Sequence, residues 1–598
     1  MSASPEHSGV NERKLSPSLS DASGFDDFAE IWVIDFEFGQ DENLLPDVRC
    51  LVAQEFRSGR LCTYWSDRLQ VLTKPPFKVD GSVLVITFFG LAELGCFAQL
   101  GWQYPENLID LYAECRGKWN GVQVGGVGLI DAAKRLGVAT PSEAHKVEMR
   151  DLAIGGGPYS EDQRKSLEAY CGEDVATTSD VFRQLISVGW FKLLNRLGQA
   201  LLRGRYLCAL ADVERCGIPL DVGLLADCRN HWGAIKKALI NSLDRDTSVY
   251  DGGTFKEERF AEYLCREEIP WPTTGKGHLD LKADTFKERS LLYPQIEPLR
   301  NLRRTLSQVR EIQLTVGADG RNRFMQSPFG TITGRNSPSS TKAAFGLPRW
   351  LRGLVRPTKG RGLSYIDWSQ QEFGIAAALS KDLAMQDAYN SGDPYLSFAK
   401  QAEAAPLDAT KESHPEVREL YKTCVLAVQY QMTARGLGYK LGKPLYEAQR
   451  LLEQHRRLYK YYWEWADRVS DHAFLNKEIT ACFGWRMSVS SDTKPRTVAN
   501  FQMQANGAEM LRIAVILGQE KGVSICATIH DALLIEAPVD DLETQTAVMK
   551  TCMVEASRLV LDGFELRSDE EYTRYPAAFG NRQGPLWELV RDVIEGQP

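Results

Sequence analysis

The sequence predicts an α/β multidomain protein. Its 598 residues are too many for one hydrophobic core. Residues 26–190 alternate strand-like and helix-like segments. Residues 363–598 mix short strands with long helices, after a mainly helical middle region. Composition is that of a globular chain, 43% hydrophobic and 25% charged. No apolar run reaches the length of a bilayer span, so no membrane association is expected. The 13 cysteines include no Cys-x-x-Cys pair, which argues against structural zinc and points to a reducing cytoplasm.

The segments follow in order. Residues 1–25, with "KLSPSLSDASGFDD" running past their end, are polar and lack the apolar core of a signal peptide, so a disordered tail is expected. Residues 26–190 open on the strands "EIWVIDFEFG" and "SVLVITFFG" and continue as helices to "DVFRQLISVGW". Residues 191–325 read mainly as helices, including "FKLLNRLGQALLRGRYLCALADVERCG" and "LRNLRRTLSQVREIQL". Residues 326–362 are rich in loop residues. The net charge of −8 does not suggest a polyanion partner, yet residues 300–361 carry 13 Lys or Arg against Glu311 and Asp319. That local excess is an electrostatic footprint for a polyanion, unless acidic neighbours offset it in space.

In "IWVIDFEFG", Asp35 and Glu37 lie two apart and project from one face of a strand. Trp32, Ile34, Phe36 and Phe38 take the other face and are expected to be buried. Adjacent carboxylates repel one another, and a hard cation such as Mg²⁺ or Mn²⁺ offsets that repulsion. Glu93, in "TFFGLAELGCF", is a further acid of interest. In "LEAYCGEDVATTSDVF", Tyr170 and Asp174 lie four apart on one helix face, behind a capping box of Ser160 and Gln163. Each acid alone reads as a surface residue. The combination of Asp-x-Glu on a strand with Tyr-x-x-x-Asp on a later helix points to a metal-dependent site.

The C-terminal region carries a second set. "SYIDWSQQEFG" ends an apolar strand in Asp367 and adds Glu372 after a polar turn. "CATIHDALLIEAP" places His530 and Asp531 at the tip between two apolar segments, a hairpin. Neither strand needs a carboxylate to fold, and the two aspartates could meet on one sheet. In "VRELYKTCVLAVQYQM", Arg418, Lys422, Leu426 and Tyr430 recur every fourth residue as one helical stripe. Cations and an aromatic suit a triphosphate and a base, while the plainer alternative is an amphipathic helix with snorkelling cations. In "RTVANFQMQANGAEML", Arg496, Asn500 and Gln504 repeat with the same spacing, either as a solvated face or as hydrogen-bonding groups for a minor groove.

These elements, in this order, resemble family A DNA polymerases, the group of bacterial polymerase I and its phage relatives. The likeness runs from about residue 26 and includes the "TITGR" loop and "ALADVERCGIPLD". It implies a ribonuclease H-like 3′–5′ exonuclease domain at 26–190, followed by a right-hand polymerase. The thumb would be 191–325, the palm 326–400 and 481–598, and the fingers 401–480. The first domain is similar to the Tyr-containing branch of DEDD exonucleases. By that resemblance Asp35, Glu37, Glu93 and Asp174 hold two Mg²⁺ ions (or Mn²⁺) around a single strand's end, and Tyr170 positions the attacking water. In the polymerase, Asp367 and Asp531 would hold the catalytic metal pair. Arg418 and Lys422 would bind the dNTP triphosphate, Lys422 also protonating pyrophosphate. Tyr430 would stack near the new pair, Glu372 would bar a ribose 2′-hydroxyl, and His530 would touch the primer end. Arg335 and Gln504 would meet the minor groove of primer-template DNA, with Arg496 and Asn500 alongside. A monomer is expected, working in the host cytoplasm if phage-encoded. No 5′-nuclease domain precedes the exonuclease, which suggests a phage-like replicative enzyme.

The chain also departs from the family pattern. Glu93 stands where Asp is usual, Trp368 where Tyr is usual and Leu426 where an aromatic often sits. Gln431 replaces the Gly that follows the tyrosine, and Ala532 replaces a common Glu. Altered nucleotide selectivity, including for a modified purine, would follow from these changes. Two alternatives are an exonuclease whose C-terminal half only holds DNA, and a single-strand-binding or scaffold protein without turnover.

Overall fold

The computed structural model describes residues 24–122, 125–140, 142–192, 195–308 and 313–596. The expected tail lies outside the described residues except for Gly24 and Phe25, as do Arg310 and Glu311 of the basic segment. The chain divides into two compact units. The first comprises residues 1–39, 46–116 and 125–208; the second comprises 40–45, 117–124 and 209–598.

The first unit is built on a five-stranded sheet of strands β1 (Glu30–Gln40), β2 (Pro46–Glu55), β3 (Leu61–Trp65), β4 (Val83–Thr87) and β5 (Leu108–Asp110). Their order is β3-β2-β1-β4-β5. The pairs β1/β4 and β4/β5 are parallel, whereas β2 and β3 are antiparallel. β1 is dense in β-branched and aromatic residues, which favour pleated surfaces. Ile31 to Ile34 are all buried, as is every residue of β4, so these central strands are covered on both faces. Phe36 is buried and Phe38 only half-buried, so the expected apolar face opens to solvent at its end. The helices used below are α1 (Leu91–Gln99), α2 (Glu143–Ile154) and α3 (Glu161–Ser187). α3 starts at the predicted capping box, with the Gln163 N–H donating to Ser160 Oγ at 3.2 Å and the Ser160 N–H to Gln163 Oε1 at 2.8 Å. The next helix, α4 (Arg196–Cys216), ends at Gly217 in the left-handed region with φ 64°.

The second unit contains a four-stranded antiparallel sheet of β6 (Arg361–Trp368), β7 (Ile525–Ile529), β8 (Ala532–Pro538) and β9 (Ser568–Arg574). Their order is β7-β8-β6-β9. Helices α5 (Gln371–Ser380), α6 (Pro415–Gln429) and α7 (Pro495–Glu520) bear the polar residues singled out above. α7 is buried almost all round from Ala505 to Gly518, as expected of a helix inside a core. A separate small core of Phe260, Tyr263, Phe286, Ile296 and Leu299 serves the helices of the 250–300 region. Among the described residues no helix is long and apolar enough to cross a membrane. Among the described residues no disulfide joins any of the 13 cysteines.

Candidate functional site

The register of β6 fixes the first constellation. Asp367 lies opposite Ala532 on β8 and opposite Asp569 on β9. Directly opposed residues of antiparallel strands share a face, so Asp569 flanks Asp367 on that face. β7 and β8 form a hairpin with Ile529 opposite Ala532, leaving His530 and Asp531 as a two-residue tip. His530 takes φ 56°, as such tips require. The Trp368 N–H donates to the Asp531 carbonyl at 3.5 Å, which brings the tip beside the end of β6. Burial, followed by the charges of Asp531 and Asp569, pushes the Asp367 carboxyl up to about 7. Its Oδ1 is buried and accepts no hydrogen bond. Asp569 accepts from Ser369 Oγ at 2.5 Å. No motif pointed to Asp569, because it opens a run of acids that reads as a solvated face.

Glu372 lies in the first turn of α5, after Gln370 in the left-handed region at φ 48°. It accepts from the Tyr430 hydroxyl at 3.3 Å and also hydrogen-bonds Gln504. The Arg335 guanidinium stands 4.0 Å away. Burial raises the Glu372 pKa in spite of these favourable partners. Four expected residues, Arg335, Glu372, Tyr430 and Gln504, therefore form one cluster. The Arg335 loop is held from behind: Arg512 donates to the Gly334 carbonyl at 2.8 Å and Trp485 to the Ile332 carbonyl at 2.9 Å. Gly334 has φ 74°, and a Cβ there would come within 2.9 Å of the Trp485 ring.

The expected stripe on α6 is shorter than its spacing implied. The helix ends at Gln429, Tyr430 is its C-cap, and Gln431 turns into the left-handed region at φ 48°. Tyr430 still donates its N–H to Leu426, at 3.2 Å. Arg418 is half-buried, donates to Asp393 and lies over the Tyr395 ring at 5.5 Å. Lys422 is paired with Glu419 at 3.3 Å. On α7, Gln504 reaches Glu372 while Arg496 and Asn500 line a cavity of about 440 Å³ with Tyr430, Gln431 and Thr433.

In the first unit, ligand atoms of Asp35, Glu37 and Cys171 lie within 4.8 Å of one another. The Cys171 thiol approaches Asp35 Oδ2 at 3.3 Å. Burial and then the Asp174 charge push Asp35 up to about 8; burial and then Asp35 push Glu37 up to about 10. Glu93 is buried on α1 and held well above the carboxylate range by burial, then by Asp35 and Glu37. Its Oε2 has no hydrogen-bond partner. The Tyr170 hydroxyl donates to Asp174 Oδ2 at 2.9 Å, and burial raises its pKa. Lys146 of α2 stands 3.6 Å from Asp174. All five expected residues share this site. Cys171 and Lys146 gave no sequence signal, since a lone helical cysteine reads as core and a lone lysine as surface. In both constellations, crowded carboxylates, most of them half-buried, with an unpartnered oxygen on Glu93 and on Asp367, form a donor set that fits hard divalent cations.

A model of DNA polymerase family A matches residues 299–566. DNA polymerase I of Aquifex aeolicus is 25% identical over 427 residues, covering 68% of this chain and 70% of that protein. DNA polymerase I of Mycobacterium leprae is 24% identical over 381 residues, and the thermostable DNA polymerase I of Thermus aquaticus is 25% identical over 384. The chain spans less than half of those two relatives, 41% and 44%. Among solved structures, the POL domain of Pol1 from M. smegmatis, in complex with DNA primer-template and dNTP, has a TM-score of 0.69 at 19% identity. The likeness covers 91% of this chain and 95% of that one.

Proposed function

We propose, from the premise that this chain belongs to DNA polymerase family A, that it extends a primer 3′ end with dNTPs on a DNA template and proofreads with a 3′–5′ exonuclease in its first unit. The observation that carries the reading is Asp367, a half-buried strand-end carboxyl with one buried, unpartnered oxygen, beside Asp531 of the hairpin tip. Asp367 and Asp531 would hold one pair of Mg²⁺ ions, with Mn²⁺ as a substitute. Asp35, Glu37, Glu93 and Asp174 would hold another. Such ions lower the pKa of an attacking hydroxyl or water and neutralise phosphate charge.

The chain's own groups do the rest. Arg418 exchanges Asp393 for a triphosphate, and Lys422, half-buried one turn on and paired with Glu419, adds charge and a proton for pyrophosphate. Tyr430 presents its ring at the nascent pair and Glu372 closes the space of a 2′-hydroxyl. Arg335 and Gln504 hydrogen-bond the terminal pair's minor groove, while Arg496 and Asn500 contact DNA further on. His530 meets the primer end. In the exonuclease, Tyr170 orients the attacking water against a single strand's terminal phosphate. Trp368, Leu426, Gln431 and Ala532 together would reshape the region around the nascent pair, Trp368 and Ala532 from the buried core, which suits a phage replication enzyme with altered nucleotide selectivity. We place it as a cytoplasmic monomer.

The test is a primer-extension assay with Mg²⁺ and four dNTPs. Asp531→Ala abolishes extension, by ~10³-fold or more, and leaves primer degradation intact. Asp35→Ala with Glu37→Ala does the reverse. A folded variant that loses both activities would overturn the two-site reading. Wild-type shortening of the primer at every dNTP level, with no extension, would favour a nuclease with a DNA-holding C-terminal half.

A further inference from the structure

Two thiols outside both carboxylate sites form a built pair. Cys216 closes α4, and Cys526 lies on β7 where the β7/β8 register shifts between Ile525 and Ala527. Their sulfurs are 3.6 Å apart. Arg321 reaches both, at 3.6 Å from Cys216 Sγ and 3.7 Å from Cys526 Sγ, and donates to the Cys216 carbonyl. Glu536 anchors that guanidinium at 2.8 Å, and Ser524 Oγ lies 3.5 Å from Cys216 Sγ. The two thiols differ in access. Cys526 is buried, whereas Cys216 is half-buried and lines a cavity of about 390 Å³ with Asp212, Gln519 and Ser524.

We propose that Cys216 and Cys526 are a hydroperoxide-reactive pair, with Cys216 the attacking sulfur and Cys526 the resolving one. The Cys216 thiolate attacks one oxygen of the hydroperoxide. An S–O bond forms, the O–O bond breaks, and the other oxygen leaves as water or alcohol after taking a proton. The Cys526 sulfur then attacks the sulfenic acid; an S–S bond forms, the S–O bond breaks, and the Cys526 proton leaves with hydroxide as water. The peroxide gains two electrons and the thiols lose two. The setting favours this division of roles. The hydrogen bond from Cys526 and the Arg321 charge draw the Cys216 thiol down to about 6 against its burial, and a low-pKa, accessible thiol is the reactive kind. The register shift at Cys526 gives the strand slack to bring sulfur onto sulfur. The product ties the end of α4 to the strand that leads to His530 and Asp531.

The full chain is treated with hydrogen peroxide, its remaining thiols are blocked, and it is mapped by mass spectrometry without reduction. The expected result is a linked peptide holding Cys216 and Cys526 that dithiothreitol releases. Oxidation at Cys216 should run ~10-fold faster than at the exposed Cys265. In Cys526→Ser the reaction stops at sulfenic acid, trapped by dimedone on residue 216. In Cys216→Ser no adduct appears on Cys526. Absence of the linked peptide in the wild type overturns the proposal even if a variant fails to fold. Oxidation of Cys216 no faster than that of Cys265 also overturns it.

Discussion

Asp367 shows what the strand register does to one side chain. An isolated aspartate at a strand end is a turn residue; here Asp531 and Asp569 face it, and its carboxyl is raised to about 7. Asp367 and Asp531 were legible because each breaks an apolar strand that has no need of charge. Asp569 was not, because in "SDEEYTR" three consecutive exposed acids give no sign of which one lies opposite Asp367. The same limit applied to Cys171, whose thiol is distinguished only by what lies across the fold from it. Glu372 was legible from its place after the motif, but not its ties to Tyr430, Arg335 and Gln504. Those ties fix its position, so Glu372→Ala should raise ribonucleotide incorporation about 10-fold or more in single-nucleotide extension. Unchanged discrimination between rNTPs and dNTPs would overturn the gate role proposed for it.

At the scale of elements, helix periodicity located α6 but extended it too far. Spacing by fours continues through Tyr430, and nothing in "AVQYQM" announces a stop, since Gln is a good helix former. The stop comes from tertiary demand: the chain turns at Gln431 and restarts at the Thr433 cap, whose Oγ1 accepts from the Gly436 N–H at 3.3 Å. Glycine takes φ 48° without a Cβ penalty, so Gln431→Gly should stabilise the fold by ~0.5–1 kcal/mol. A urea denaturation midpoint that falls, at constant slope, would contradict this. The β7/β8 hairpin was read in full from sequence, because two apolar runs around a two-residue polar break leave few other arrangements.

For the whole molecule, the raised carboxyls make stability depend on pH and on cations. The Asp367 carboxyl binds its proton up to about 7, while in the unfolded chain it releases it near 3.8. The folded state therefore holds the extra proton between those values, and stability in EDTA should fall as pH rises from about 4 to about 7. Asp35, raised to about 8, extends that loss upward. Mg²⁺ should reverse it, so the rise in Tm on adding Mg²⁺ should be larger at pH 8 than at pH 6. A Tm increment independent of pH in differential scanning fluorimetry would argue that these acids hold no ion. How the chain divides into compact units was visible only coarsely in sequence, since segments 40–45 and 117–124 fall with the second unit. Helix α7 has a wider consequence. It is a stiff rod, ~39 Å long at 1.5 Å per residue, and it carries Gln504 at one station and Arg512 at another, two turns on. It thus works as a caliper, setting the gap between the Glu372 cluster and the loop it grips at Gly334. Gly334→Ala, pushed off by the Trp485 ring, would alter that gap while leaving every polar contact group in place. The expected result is a raised misinsertion frequency on defined templates with little change in the rate of correct incorporation.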